Sequence, residues 1–227
     1  MTARAREDEK GRVPLSRERV LRAAIEHADA HGLDSLTMRG LAKRLDVEAM
    51  SLYHHVANKR EILEGITELV ARDMPPPNPG GDWKAELRGM AIRAHRVMLR
   101  HPWVAGLLLS SSVESETRIR YSEAILATLR QAGFSPKLTD HAYHALESHV
   151  MGFTLWLVNM DLGDEAQVAA LARDYLVAFP RDTYPYLAEH IELHLEPHDA
   201  DADFAFGLDL VLDGLERMLA SPHGDVG

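Results

Sequence analysis

The sequence predicts an all-α protein in two parts, and three observations lead there. Apolar residues recur at three- and four-residue spacing along most of the chain, while strand-like alternation is weak and the Gly/Asn pairs of tight hairpins are missing. From Met74 to Gly81, four prolines and two glycines fall within eight residues, a composition that cannot continue a helix. The charge divides at the same place. The 227 residues carry a net charge of −10, yet residues 1–72 hold 13 Lys+Arg against 12 Asp+Glu, and residues 73–227 hold 12 against 23. Residues 74–81 therefore read as a linker between a near-neutral domain, 14–73, and a larger acidic one, 82–222. A long loop inside a single domain is the alternative.

Composition removes several classes. Without cysteine there are no disulfides, thiolate metal sites or cysteine nucleophiles. Apolar runs such as Val104 to Leu109 fall far short of the roughly 20 residues that span a bilayer, so no membrane partner is expected. Residues 1–13 are charged throughout, lack an apolar signal core and read as a disordered arm. A cytoplasmic location is the expectation. No phosphate-cradling glycine loop, nucleophile elbow or carboxylate pair tied to a histidine is visible, which argues against an enzyme. His27/His31 and His190/His194 have the i,i+4 spacing of paired metal ligands, but neither comes with the Glu base of a His-Glu-x-x-His motif and each lies on an expected surface helix, so no metal or cofactor is expected.

Four helices are expected in the first domain. Ser16 is a good cap for a helix reaching His31, with Val20, Leu21, Ala24, Ile25 and Ala28 on one face and Gly32 as its stop. Thr37 caps a second helix whose inner face is Met38, Leu41, Ala42 and Leu45. Asp46 supplies a turn, because Asp tolerates the left-handed conformation. A third short helix follows, about Glu48 to His54, with Leu52 inward. Asn58 and Glu61 resemble a capping box opening a fourth, apolar at Ile62, Leu63, Ile66, Leu69 and Val70.

Two short helices packed on a longer one are the sequence form of a helix-turn-helix, whose second helix enters the DNA major groove. Arg39, Lys43, Arg44, Lys59 and Arg60 stand around that helix, within reach of phosphate or base. The run Leu36-Thr37-Met38-Arg39-Gly40-Leu41-Ala42-Lys43-Arg44-Leu45-Asp46-Val47, then Ser51-Leu52-Tyr53-His54-His55-Val56, then Asn58-Lys59-Arg60-Glu61-Ile62-Leu63 resembles the TetR family of transcriptional repressors. The resemblance covers about residues 14–72. It departs at Asp46, where the family usually has glycine.

The resemblance implies roles position by position. Arg39 matches a base- or phosphate-contacting position, and Ala49, Met50 and Ser51 match the base-facing start of the recognition helix. Tyr53 and His54 match residues lying against the sugar–phosphate backbone. Lys59 matches a phosphate-gripping lysine, and Thr37 a cap whose hydroxyl also touches phosphate. Double-stranded operator DNA is the implied partner.

The second domain carries two long apolar seams. One runs through Ala142, Ala145, Leu146, His149, Phe153, Trp156 and Met160, the other through Phe204, Leu208, Val211, Leu212, Leu215, Met218 and Leu219. Two such helices from each of two chains would build a four-helix dimer interface, with Ala142, Leu146, Phe153, Leu208, Val211, Leu212 and Leu215 across it. The alternative is that they form the core of one chain. Phe204-x-Phe206-Gly207-Leu208-x-Leu210-Val211-Leu212-x-Gly214-Leu215-Glu216 is similar to the last helix of the tetracycline-repressor branch. In that branch's parent protein the drug arrives as a magnesium chelate. Here Met90 and Ala94 stand where that protein has Asn and Phe, and Gly106 to Leu109 lacks its metal-binding His, so this effector is not expected.

A more apolar pocket is expected, with Met90, Trp103, Leu107, Phe134, His149, Phe153 and Trp156 as candidate lining; ordinary core packing is the alternative for each. The stretch Asp161 to Asp203 reads as helical about Asp174–Phe179 and Tyr184–Leu195, and the resemblance implies that it acts as a movable cover over the pocket. The sequence thus points to a helix-turn-helix DNA-binding domain joined to a larger ligand-binding and dimerisation domain. That is a homodimeric repressor of a palindromic operator, released by a small, antibiotic- or polyketide-like effector. The alternative is a DNA-binding regulator answering to a protein partner.

Overall fold

The computed structural model describes residues 14–110, 116–160, 165–196 and 199–221, and every regular element among them is helical. The arm expected over residues 1–13 lies outside them. In chain order the helices are α1 (Arg17–His31), α2 (Met38–Leu45), α3 (Ala49–Leu52), α4 (Lys59–Ala71), α5 (Trp83–Arg100), α6 (Pro102–Ser110), α7 (Glu116–Gln131), α8 (Pro136–Met160), α9 (Glu165–Ala178), α10 (Pro185–Glu192) and α11 (Ala200–Ala220), with a 3-10 turn at Leu193–Leu195.

The chain forms two compact units. The first comprises residues up to Asp73 together with Arg100–Thr117, and the second comprises Met74–Leu99 and Arg118 onward. The expected second domain begins at residue 82; by compactness α6 groups with the first unit. The physical reason is local: Val104 and Ala105 of α6 are fully buried, and α6 packs on α1 and α4. Nor is the expected linker a free tether. Met74 and Pro77 are buried, and Asn78 N–H donates to Glu86 Oε2 of α5 at 3.1 Å.

In the first unit, local chemistry sets the helix ends. Ser16 Oγ accepts from Arg19 N–H at 3.2 Å, Thr37 Oγ1 from Gly40 N–H at 3.0 Å and Asn58 Oδ1 from Glu61 N–H at 2.9 Å, each satisfying a donor that the first turn leaves open. Glu61 Oε2 accepts from Ala57 N–H at 2.6 Å, one residue ahead of the donor a capping box uses. Asp46 adopts φ 53°, ψ 49°, the left-handed turn between α2 and α3. Helix α3 is shorter than expected. Glu48 supplies no side-chain cap, and the N–H groups of His55 and Val56 both return to Leu52 O, at 2.8 and 3.0 Å, closing the helix there. Leu21, Leu36, Leu41, Leu52, Ile62 and Ile66 fill the core. At Gly65 of α4 a Cβ would stand 2.8 Å from both Leu21 methyl carbons, so glycine is what lets α1 and α4 approach.

In the second unit α8 and α11 pack together over Ala142, Leu146, Phe204, Leu208 and Leu212. Charged side chains join α5 to α11 in antiparallel order: Lys84 Nζ to Glu216 Oε2 at 2.5 Å and Asp213 Oδ1 at 2.8 Å, Arg88 to both carboxylate oxygens of Asp209 at 2.7 and 3.0 Å, and Arg96 Nε to Asp201 Oδ2 at 2.9 Å. The Arg88 hydrogen bond holds the Asp209 carboxyl below its ordinary pKa. Helix α9 packs against α10 and the 3-10 turn, and α9 starts well before the Asp174 expected.

Candidate functional site

The surface of the first unit is built outward from Leu52. This residue is fully buried and seats α3, so the other residues of the short helix turn outward. Met50 is 70% exposed and Tyr53 47% exposed, unusual for large apolar side chains with no structural reason to face water. Thr37, Arg39 and His54 are exposed, and Ala49, Ser51 and Lys59 are half-buried. All eight residues expected to meet DNA belong to this unit, in the stretch from the start of α2 to the start of α4. Thr37 Oγ1 is already engaged as a cap, and Lys59 Nζ donates to Leu33 O at 3.2 Å, which holds the ammonium at the N-terminus of α4 and leaves it further donors. A cleft of about 640 Å³ runs beside α3, lined by Arg19, Lys43, Asp46, Glu48 and Ser51 among others.

The expected effector residues fall in both units. Trp103 and Leu107 belong to α6 in the first unit, where Trp103 is buried with its indole N–H on Asp29 Oδ1 at 2.7 Å. Phe134 is buried against the edge of Trp83, ring centroids 5.0 Å apart, and Met90 is buried in α5; both are core. Three candidates do come together. Phe153 lies 5.9 Å from His149 and 5.9 Å from Trp156, centroid to centroid, on successive turns of α8. His149 Nε2–H donates to Phe204 O at 3.0 Å. At Gly207 a Cβ would stand 2.6 Å from His149 Cε1, so that glycine makes room for the ring.

The sequence reading missed His95 in this cluster. Its ring lies flat on Phe204 and edge-on to Phe153. Its position was legible, because 95 continues the buried stripe Leu87, Ala91, Ala94 and Met98 of α5. Thr154 Oγ1 gives its one hydrogen to Val150 O, so it accepts from His95 Nδ1–H at 2.8 Å. That leaves His95 Nε2 a buried lone pair with no hydrogen-bond partner among the described residues, 3.9 Å from Asp201 Oδ1. Burial pushes the imidazole pKa below its ordinary value, against the pull of Asp201.

The residues expected across the dimer seam divide by burial. Ala142, Leu146, Leu208, Leu212 and Leu215 are buried within the single chain, where α8 meets α11, and Phe153 and Val211 are half-buried. The five buried residues belong to the protomer's own core, while Phe153 and Val211 keep part of their surface open. The apolar side chains left outside on the same helices are Trp156, Met160, Phe206, Leu210 and Met218.

Two short helices joined by the Asp46 turn, the second seated on buried Leu52, with Met50 and Tyr53 facing solvent, define a DNA-binding protein of the helix-turn-helix kind. Comparison with known proteins agrees. Residues 20–66 match the model for bacterial regulatory proteins of the tetR family, and residues 75–219 match the tetracyclin repressor-like C-terminal domain. The chain is 31% identical over 226 residues to the HTH-type transcriptional repressor DrrR1 of Streptomyces coeruleorubidus, covering 93% of this chain and 81% of that one. It is 33% identical over 210 residues to the class D tetracycline repressor of Escherichia coli, covering 91% and 92%. Among solved structures it resembles Streptomyces coelicolor ActR in complex with actinorhodin, with a TM-score of 0.72, 26% identity and coverage of 92% and 100%. The chain belongs to the TetR family of bacterial transcriptional regulators, DNA-binding transcription factors rather than enzymes. No helix among the described residues is long and apolar enough to cross a membrane.

Proposed function

We propose that the chain is a cytoplasmic, ligand-responsive repressor that binds a palindromic operator as a homodimer and leaves it when a small, largely apolar effector binds. The observation that carries this reading is the outward face of α3. Met50, on a helix whose buried residue is Leu52, and Tyr53, which ends that helix, are exposed, and Arg39, Ser51, His54 and Lys59 flank them. Ala49, Met50 and Ser51 meet base edges; Thr37, Tyr53, His54 and Lys59 hold the sugar–phosphate backbone; Arg39 serves either.

A second copy docks on the outer faces of α8 and α11. Trp156, Phe206 and Leu210 are 53%, 67% and 57% exposed there, and a twofold interface removes such side chains from water. The effector enters through the second unit at His149, Phe153 and Trp156, with the α9–α10 segment as cover. An aromatic edge suits a polycyclic, polyketide-like molecule, in keeping with the actinorhodin complex of ActR. Magnesium-chelated tetracycline is not proposed, since Met90 is buried core and residues 106–109 hold no histidine. The effector shifts the population of two states by its differential affinity, and a coupling of about 1–3 kcal/mol is typical.

Selection of duplexes from random DNA tests the reading. An inverted-repeat sequence should emerge, protein mass in solution should be that of two chains, and polyketide-type compounds that raise the melting temperature should release the selected duplex. Enrichment without symmetry, a monomeric mass, or stabilising compounds that leave the complex intact would each overturn the corresponding part.

A further inference from the structure

Asp29, near the end of α1, receives two hydrogen bonds on a single carboxylate oxygen. His101 Nδ1–H donates to Oδ1 at 2.8 Å, and Trp103 Nε1–H donates to the same atom at 2.7 Å. A carboxylate only accepts, so the His101 proton sits on Nδ1. His101 and Trp103 are 9% and 8% exposed, so both donors are shielded from water while the far side of the carboxylate is partly open. Two donors converging on one atom fix direction as well as distance. A slide or rotation of the first turn of α6 against α1 lengthens at least one of the two bonds.

The position of this clamp gives it a consequence. The chain passes between its two units at 73/74, 99/100 and 117/118. The first passage opens into the proline-rich run. The second has no slack: α5 ends at Arg100, α6 begins at Pro102, and the one residue between them is His101 itself. Whatever displaces the end of α5 therefore acts at once on the residue that Asp29 holds.

We infer that Asp29 is a positioning residue for operator recognition: through His101 and Trp103 it fixes the point at which α5 joins the DNA-reading unit. In a dimer it thereby fixes the spacing of half-sites that the two heads accept. This rests on the homodimeric, operator-binding reading above. Asp29 lies outside the DNA-facing set, so its loss leaves contacts within one half-site intact and acts on spacing alone.

The test uses full-length protein and the duplex that wild type selects from random DNA. That duplex is rebuilt with its centre shortened or lengthened by one or two base pairs, and as a single half-site. Wild type should favour its own spacing by roughly tenfold or more, the scale of one mismatched base pair. Asp29→Ala and Trp103→Phe should flatten that preference to roughly two- or threefold while half-site affinity stays within about twofold. Asp29→Asn, whose amide oxygen still accepts two bonds, should keep wild-type selectivity. Melting curves of all three variants establish that they are folded. Unchanged spacing preference in Asp29→Ala and Trp103→Phe would overturn the inference, as would an equal loss on every duplex including the half-site. If wild type itself shows no preference for paired half-sites, the dimeric reading fails and the inference falls with it.

Discussion

The imidazole of His95 lies flat on the ring of Phe204, centroids 3.9 Å apart and planes 2° from parallel. Thr154 holds one nitrogen, and the other has no hydrogen-bond partner among the described residues. Burial keeps the ring neutral and its pKa below the ordinary value. The unfolded chain takes up the proton more readily than the folded one, so the stability tied to this group is fully present above about pH 6.5, the ordinary histidine value. It is lost as pH falls from there through the lowered folded pKa. Denaturant unfolding at a series of pH values should show wild type losing more stability between neutral and mildly acidic pH than His95→Phe does. Parallel pH profiles for the two proteins would contradict this account.

Two leucine-to-alanine changes on α11, two residues apart, should behave oppositely. Leu212 is fully buried, so Leu212→Ala removes core contacts and leaves a cavity, costing about 2–5 kcal/mol in chemical unfolding. Leu210 is 57% exposed on the other side of the helix. Leu210→Ala should leave unfolding of the isolated chain within about 0.5 kcal/mol and weaken self-association, read by sedimentation across a concentration series. If Leu212→Ala weakened association without destabilising the fold, the inward assignment would be wrong.

Lys59 and Met50 separate grip from reading. Lys59→Ala should weaken binding of all duplexes alike and reduce the salt-dependence slope by about one. Met50→Ala should change which bases the protein prefers and leave the slope alone. Binding titrations over a range of salt concentrations, on selected and scrambled duplexes, distinguish the two patterns.

Gly65→Ala places a methyl 2.8 Å from the side-chain carbons of Leu21, where α1 and α4 touch. Overpacking of this kind costs about 1–3 kcal/mol. Thermal unfolding should report the loss, and Leu21→Val in the same chain should recover part of it by withdrawing the clash.

The sequence made the first unit legible almost residue by residue, because its signals are local. Ser16, Thr37 and Asn58 cap their helices through side chains three residues from the donors they satisfy, and Asp46 turns where its own chemistry allows. The second unit was legible as helices but not as faces. A stripe such as Leu208, Leu212 and Leu215 states that it is buried without stating against what, and a core seam and a dimer seam share one spacing. The same ambiguity scattered the effector candidates. Trp103 was chosen for its bulk, yet its fate depended on a carboxylate 74 positions away in sequence. His95 continues the buried stripe of α5, but the stripe alone does not say that its ring stacks on Phe204 of another helix.

The charged rungs between α5 and α11 carry a further consequence. Exposed pairs of this kind add little to stability, but Lys84, Arg88 and Arg96 are spaced by whole multiples of four along one helix. Adding or deleting one residue in α5 turns everything beyond it by about 100°. Such a change near residue 86 would swing Arg88 and Arg96 off their carboxylates and rotate His95 out from the Phe204 ring in the same stroke. The segment can therefore absorb many changes of residue type but almost none of length, and descendants of this chain are expected to vary in α5 by substitution alone.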